Sequence, residues 1–221
     1  MIIQEVIALL EQEYGLLQVI PEKRHLDVLI KTILSQNTSD LNSDRAFKSL
    51  LSTFGSWQNV ALAPIENIVQ SIKCGGLSKV KAVRIKHILN NILEEHGSLT
   101  LDFLDSMNTL EARDFLVSLP GVGLKTASCV ILFSMGRQLL PVDTHIFRVA
   151  KRLGLLDSNV SIEKAHNLLQ DLVPTYKIYQ FHVHLIRHGR QICKAIKPQC
   201  YKCVLEENCP SSLNQRTKTL S

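Results

Sequence analysis

The sequence contains no apolar run long enough to cross a membrane, and its first twelve residues lack a basic start and carry acids at Glu5 and Glu11. The missing membrane span predicts a soluble protein. The missing signal-peptide pattern predicts an intracellular one. Disulfides need an oxidising compartment, so we expect the six cysteines to be reduced. The sequence also lacks low-complexity segments, internal repeats and an obvious linker.

The net charge is +5, from 25 basic and 20 acidic side chains in 221 residues. A moderate positive charge favours a polyanionic partner, although many basic proteins bind no nucleic acid. With 45% hydrophobic residues, the chain can bury a sizeable core as one large domain or two small ones.

Apolar residues recur with helical spacing in two long segments. The first stripe consists of Leu26, Leu29, Ile30, Ile33 and Leu34, and the second of Ile85, Ile88, Leu89, Ile92 and Leu93. Each stripe predicts an amphipathic helix with one buried face. Glycines and prolines divide the rest into segments of helix length, which predicts an all-α fold. We expect only the tail after Cys209 to be loose.

Four cysteines near the end of the chain form the pattern C-x6-C-x2-C-x5-C, at Cys193, Cys200, Cys203 and Cys209. Thiolates at such spacing suit zinc or an iron–sulfur cluster, and spacing alone does not separate the two. A single C-x2-C between longer gaps favours a 4Fe-4S cluster, because zinc sites usually have two such pairs. Cys74 and Cys129 are isolated, and Cys129 is expected in the core.

A glycine turn follows the middle of the chain in the segment LPGVGLKTA. Gly121 and Gly123 flank Val122 just before a helix that is predicted to begin near Lys125. Free backbone N–H groups at such a helix start accept a phosphate, although a bare G-x-G is more often a ligand-free connection. A second motif, VDTHIFRV, contains Asp143. Between them, residues 127–135 read as a buried helix, so Lys125 and Asp143 converge only if the chain turns back near Pro141.

These three motifs, in this order and at these separations, resemble those of the endonuclease III family of helix-hairpin-helix DNA glycosylases. The resemblance extends from the LSQNTSD segment, which begins at Leu34, to Cys209. It implies a six-helix domain over residues 20–133 and a discontinuous domain from residues 1–19 and 134–221. The second domain would carry the 4Fe-4S cluster in the loop 193–209, and DNA would lie in the groove between the domains.

The resemblance also implies an activity and roles for individual residues. Lys125 and Asp143 would line a base pocket, and the backbone of Gly121, Val122 and Gly123 would bind phosphate. Cleavage of an N-glycosidic bond develops positive charge on deoxyribose, which a carboxylate such as Asp143 stabilises. The amine of Lys125 can displace the base and form a Schiff base, from which β-elimination cuts the strand. We therefore expect a bifunctional glycosylase and AP lyase for oxidised pyrimidines in duplex DNA.

A damaged base must be flipped out of the duplex before it can be excised. By the family pattern, Leu77 would wedge into the opposite strand, and Gln36 or Asn37 would fill the vacated space. The usual filling residue is glutamine, whereas this chain has Asn37, and Gly75 replaces a bulkier residue beside the wedge. His145 is also expected at the DNA. Among the basic residues of the cysteine loop, Lys194 and Lys197 are expected to grip phosphates.

Two alternative functions remain open. A monofunctional mismatch glycosylase would keep the cluster and Asp143 but usually lacks the lysine, so Lys125 argues against it. A non-catalytic binder of distorted duplex DNA would need neither residue. The expected partner is double-stranded DNA with a damaged base or abasic site, bound by a monomer away from membranes. In a prokaryote the location would be cytoplasmic and nucleoid-associated. His182, His184 and His188 are interpreted as surface or packing residues rather than a second metal site.

Overall fold

A computed structural model describes residues 2–212, and within this range the regular structure is helical, without a β-strand. The predicted all-α class is confirmed. Most of the tail that was predicted to be loose, residues 213–221, lies outside the described residues. No helix in the described part of the chain has the length and apolar character needed to cross a membrane.

Eleven α-helices occur among the described residues. They are α1 (Ile3–Tyr14), α2 (His25–Leu34), α3 (Asp40–Phe54), α4 (Trp57–Leu62), α5 (Ile65–Ser71), α6 (Ser78–His96), α7 (Thr109–Ser118), α8 (Leu124–Ser134), α9 (Thr144–Arg152), α10 (Ile162–Leu172) and α11 (Ile178–Gln191). Short 3-10 turns cover Lys73–Gly75, Asp102–Ser106, Thr175–Lys177 and Cys200–Lys202.

The described chain divides into two compact units. One unit comprises Pro21–Arg137 and contains helices α2 to α8. The other combines the segment that ends at Ile20 with the segment that begins at Gln138, and it contains α1 and α9 to α11. A DNA groove between two domains, which the resemblance implies, stays a prediction.

In the Pro21–Arg137 unit, α2 and α8 pack against each other at the centre. All five residues of the first predicted stripe, from Leu26 to Leu34, are buried on α2. Helix α8 is buried without interruption from Thr126 to Leu132, as expected for a helix enclosed by its neighbours. Cys129 is buried within it, which confirms its predicted core position.

The second predicted stripe lies on α6. Four of its residues, Ile85, Ile88, Leu89 and Ile92, are completely buried. The prediction is wrong for Leu93, which is 38% exposed. Leu93 follows one residue after Ile92 and is therefore turned about 100° away from the centre of the buried face.

In the other unit, α11 packs against both α9 and α1. Phe181 and Leu185 of α11 are buried, and so are all three histidines of this helix, His182, His184 and His188. The predicted surface position is therefore wrong for these histidines, whereas a packing role fits them. Among the described residues, no three His, Cys, Asp or Glu side chains converge on one ion.

Candidate functional site

The glycine turn connects α7 to α8. The N–H of Val122 donates to the carbonyl of Leu119 at 3.1 Å, and Gly121 has a left-handed φ of +73°, which glycine adopts without strain. Val122 is buried, whereas Gly121 and Gly123 on either side of it are exposed. No side chain caps α8 at Gly123. The first N–H groups of α8 are therefore presented at the positive end of the helix dipole, which suits an anion.

Lys125 lies in the first turn of α8, directly behind this glycine turn. Its side chain is half-buried, and it makes no hydrogen bond or ion pair with the described residues of its own unit. Lys125 therefore lies close to the end of the helix that suits an anion, without a polar partner among the described residues of its unit.

Asp143 is the N-cap of α9, and its carboxylate accepts a hydrogen bond from the N–H of Ile146 at 2.8 Å. This bond fixes the orientation of the carboxylate. Nδ1 of His145 lies 3.2 Å from Nη2 of Arg148 on the same helix. Lys125 and Asp143 belong to different units, and their convergence stays a prediction.

Asn37 and Leu77 lie on two adjacent turns, residues 36–38 and 75–77, which we call the paired turns. A Cβ on Gly76 would lie 3.8 Å from the carbonyl oxygen of Asn37. Asn37 and Leu77 both have left-handed backbones, with φ of 53° and 49°. Such a conformation is uncommon for Asn and strained for Leu. Leu77 is nevertheless 55% exposed.

Gly75 is buried where one of the paired turns meets α3. A Cβ at this position would lie 2.9 Å from the Cβ of Ala46, which is too close for two carbon atoms. The close approach to α3 therefore leaves room for glycine but not for a larger residue at this position.

Both polar atoms of the Gln36 side-chain amide contact other side chains. Its carbonyl oxygen accepts a hydrogen bond from Nη1 of Arg84 at 2.6 Å, and its Nε2 lies 3.4 Å from the hydroxyl of Thr126. Arg84 also lies against the glycine turn, because a Cβ on Gly121 would overlap its guanidinium group. These contacts join Gln36 to the helix that carries Lys125.

The side chain of Lys81 is buried under the paired turns. Its Nζ donates hydrogen bonds to the carbonyl oxygens of Leu34, at 2.7 Å, and Gly75, at 2.8 Å. Burial lowers the pKa of Lys81. Sequence reasoning missed both Lys81 and Arg84. Lys81 could have been noticed, because it lies four residues before Ile85 and falls in phase with the buried stripe of α6.

All four cysteines of the C-x6-C-x2-C-x5-C pattern line one cavity of about 260 Å³. Backbone turns place them: the N–H of Cys203 donates to the carbonyl of Cys200, that of Glu206 to Cys203 and that of Cys209 to Glu206. These four thiols are therefore the side chains around this cavity that could together hold a thiolate-bound metal centre.

Two arginines of α9 brace the start of the cysteine loop. Arg148 donates to the carbonyl oxygens of Gly189 and Cys193, and Arg152 donates to those of Lys194 and Ala195. Nη1 of Arg152 also lies 3.4 Å from the sulfur of Cys193. No sequence signal pointed to these contacts, because most of the acceptors are backbone atoms. Asp143 is therefore on a helix that is fixed to the cysteine loop.

A buried histidine, His188, also lines the cavity. Nε2 of His188 lies 3.5 Å from the sulfur of Cys203, and the hydroxyl of Tyr14 lies 3.0 Å from Nδ1 of His188. Burial lowers the pKa of His188 to about 4 and raises the pKa of the Cys203 thiol to about 11. Burial also raises the pKa of Cys209. Lys194 and Lys197 are exposed on the loop outside the cavity.

Comparisons with known proteins identify the family. Residues 30–175 match the HhH-GPD superfamily of base excision DNA repair proteins. The chain belongs to this superfamily. A candidate DNA glycosylase of Arabidopsis thaliana is 40% identical over 82% of this chain and 61% of its own length. The chain thus spans less than two thirds of that relative. Endonuclease III of Thermotoga maritima is 34% identical over 82% of this chain and 81% of its own.

Solved structures agree with the HhH-GPD assignment. Endonuclease III in a non-covalent complex with DNA superposes with a TM-score of 0.83 and 27% identity, over 98% of this chain and 97% of that one. The resemblance to the endonuclease III family is confirmed.

Proposed function

We propose that the protein is a bifunctional DNA glycosylase and AP lyase that excises oxidised pyrimidines from duplex DNA. The observation that carries this proposal is the position of Lys125 directly behind an uncapped glycine turn. Lys125 is half-buried and has no polar partner among the described residues of its unit. A monofunctional glycosylase needs a positioned carboxylate but no such amine. Relatives that are endonuclease III, at 34% identity, support the same activity.

The glycine turn would hold a phosphate of the damaged strand. Its backbone N–H groups would contact a phosphate, which is the same at every nucleotide. The contact therefore imposes no preference for a DNA sequence, which suits an enzyme that acts at any position in DNA. Binding one phosphate beside α8 brings the neighbouring sugar toward Lys125, whose place in the first helical turn is fixed by the same backbone.

The chemistry then follows from two groups. As the glycosidic bond breaks, its electrons leave with the base, and the carboxylate of Asp143 stabilises the positive charge on the sugar. The neutral amine of Lys125 forms a bond to C1′ and loses a proton, and the C1′–O4′ bond then breaks, with O4′ taking up a proton, to give an iminium ion. Loss of a proton from C2′ then expels the 3′ phosphate, which cuts the strand by β-elimination. The second step makes the enzyme a lyase as well as a glycosylase.

Cys193, Cys200, Cys203 and Cys209 would hold a 4Fe-4S cluster. Four cysteine side chains around one cavity of about 260 Å³ support a metal centre held by all four, and the single C-x2-C between longer gaps favours a cluster over zinc. When bound, the cluster would contribute structure, because four thiolates leave no position for a hydrolytic water. The loop that it stiffens presents Lys194 and Lys197 to solvent, where they would contact phosphates.

The proposal can be tested with duplexes that each carry one lesion. Purified protein should release oxidised pyrimidines and should nick abasic DNA, and borohydride should trap a covalent protein–DNA complex. Base release without nicking or trapping would indicate a monofunctional glycosylase. Binding of distorted duplex without either product would show that the protein is not an enzyme of this kind.

A further inference from the structure

Lys81 is a buried lysine that the proposed chemistry does not use. It is 2% exposed, and its Nζ donates to two backbone carbonyl oxygens, of Leu34 and Gly75. A charged group leaves water only where strong partners replace its hydration. Leu34 is the last residue of α2, so its carbonyl lies at the negative end of a helix dipole, where a cation is favoured.

Each of these carbonyls precedes one of the paired turns. Leu34 is followed by Ser35 and then by residues 36–38, which include Asn37. Gly75 begins the turn 75–77, which ends at Leu77. The ammonium group of Lys81 therefore joins the bases of two segments that are about 40 residues apart in sequence and adjacent in space.

Both turns need such a support. The left-handed backbone is strained at Leu77 and uncommon at Asn37, and a strained residue persists only where surrounding contacts determine its conformation. Side chains at the tips of the turns make few contacts, since Asn37 and Leu77 are both exposed. The contacts that hold the two backbones must therefore come from the buried side of the turns, where Lys81 lies.

We propose that Lys81 is a positioning residue that fixes the two paired turns relative to each other, so that Asn37 and Leu77 enter the duplex in register. This role rests on the proposed function, because it assigns these two side chains to the opened duplex. Without the ammonium group, two buried carbonyls would lose their donor, and each turn would move independently.

The first test follows the turns themselves, in protein without DNA. Hydrogen exchange measured by mass spectrometry should be faster in peptides covering residues 35–38 and 74–78 of Lys81→Met than in wild-type protein. Lys86→Met is the matched control, because Lys86 is on the same helix and its Nζ also donates to a backbone carbonyl, that of Ala63. The control should leave both turns unchanged. Unchanged exchange in Lys81→Met would refute the proposal.

A measurement on wild-type protein decides the question if Lys81→Met does not fold. At low denaturant concentrations, the amides of the two turns should open in one step, with the same free energy and the same denaturant dependence. Two separate openings, with different free energies, would show that Lys81 does not join the turns.

The second test measures function. Excision from duplex DNA relative to single-stranded DNA should fall on the order of tenfold in Lys81→Met, a loss typical of unpaired buried acceptors, and not in Lys86→Met. An equal loss on both substrates would show a role in folding only. If wild-type protein excises nothing, the proposed function fails, but hydrogen exchange still reports whether Lys81 joins the turns.

Discussion

The side-chain carbonyl oxygen of Gln36 accepts a 2.6 Å hydrogen bond from Nη1 of Arg84, and Nε2 of the same amide lies 3.4 Å from the hydroxyl of Thr126. The neighbouring Asn37 is exposed and left-handed. Sequence alone left both residues as candidates to fill the space of a flipped nucleotide. Because the side chain of Gln36 is already bonded inside the protein, we assign that task to Asn37.

This assignment predicts different results for two alanine variants. Asn37→Ala should reduce excision from duplex DNA far more than from single-stranded DNA, where the base is already unstacked. Gln36→Ala should lower the free energy of unfolding by about 1 kcal/mol, because the charged Arg84 loses an acceptor. Its effect on the two DNA substrates should be equal. The ratio of the two excision rates, at fixed salt, checks both variants, and a larger duplex defect in Gln36→Ala would reverse the assignment.

Leu77 permits a test in which stability and activity change in opposite directions. At most positions outside left-handed turns, Gly is less stable than Ala, but at φ 49° a residue without a Cβ is favoured. Leu77→Gly should therefore be more stable than Leu77→Ala by about 1 kcal/mol. Both variants lose the wedge, so both should lose duplex excision while single-strand excision remains. Thermal denaturation with the two excision assays measures this, and Ala more stable than Gly would rule out the left-handed conformation.

A contact in this protein could be predicted from the sequence where it joins side chains, but not where the acceptor is a backbone atom. The stripe on α2 was predictable because burial repeats with the helical period. The grouping of the four cysteines around one cavity was predictable because their spacing is visible in the sequence. Lys81 was recognisable as a charge in a buried stripe. Its acceptors were not, because they are backbone carbonyls, which every residue possesses.

The cysteine loop shows the same limit. Arg152 binds the backbone of Lys194 and Ala195, more than 40 residues away, and neither partner has a side chain that suggests it.

The prediction for Leu93 was wrong for another reason. Leu93 is apolar and follows the pattern on α6, but it lies at the margin of the buried face. The sequence of one helix does not determine how far the neighbouring helices cover that face.

The cysteine cavity predicts a coloured protein. Anaerobically purified protein should be yellow-brown and contain about four irons and four sulfides per chain. Cys203→Ser should lose the colour and much of the DNA affinity, whereas Cys74→Ser, at an exposed cysteine outside the cavity, should keep both. Metal analysis and visible absorption decide the matter. Stoichiometric zinc without iron in the intact protein would contradict the cluster.

Gly75 and Ala46 form a pair that can be tested by a double-mutant cycle. Gly75→Ala should destabilise the protein by about 1–3 kcal/mol, because the new Cβ would lie 2.9 Å from that of Ala46. Ala46→Gly removes the opposing methyl group, so the double variant should recover part of the loss. Chemical denaturation gives the coupling energy. Strictly additive effects would mean that the two residues do not approach each other so closely.

The roles of Lys125 and Asp143 are separable because one is an amine and the other is also a helix cap. Lys125→Gln should bind abasic DNA but form no borohydride-trapped complex, since no amine remains to make the imine. Lys164→Gln, at an exposed lysine of α10, is the control and should trap as well as wild-type protein. Undiminished trapping in Lys125→Gln would assign the Schiff base to another amine.

Asp143→Asn keeps an acceptor for the N–H of Ile146 and so preserves the cap, but it removes the charge that stabilises the sugar. It should fold normally and lose base release, while trapping on preformed abasic DNA persists. Asp143→Ala should lose base release to a similar extent and also about 1 kcal/mol of stability, because the cap disappears as well. If Asp143→Asn releases bases at the wild-type rate while Asp143→Ala does not, the carboxylate acts as a cap and not as an electrostatic partner of the sugar.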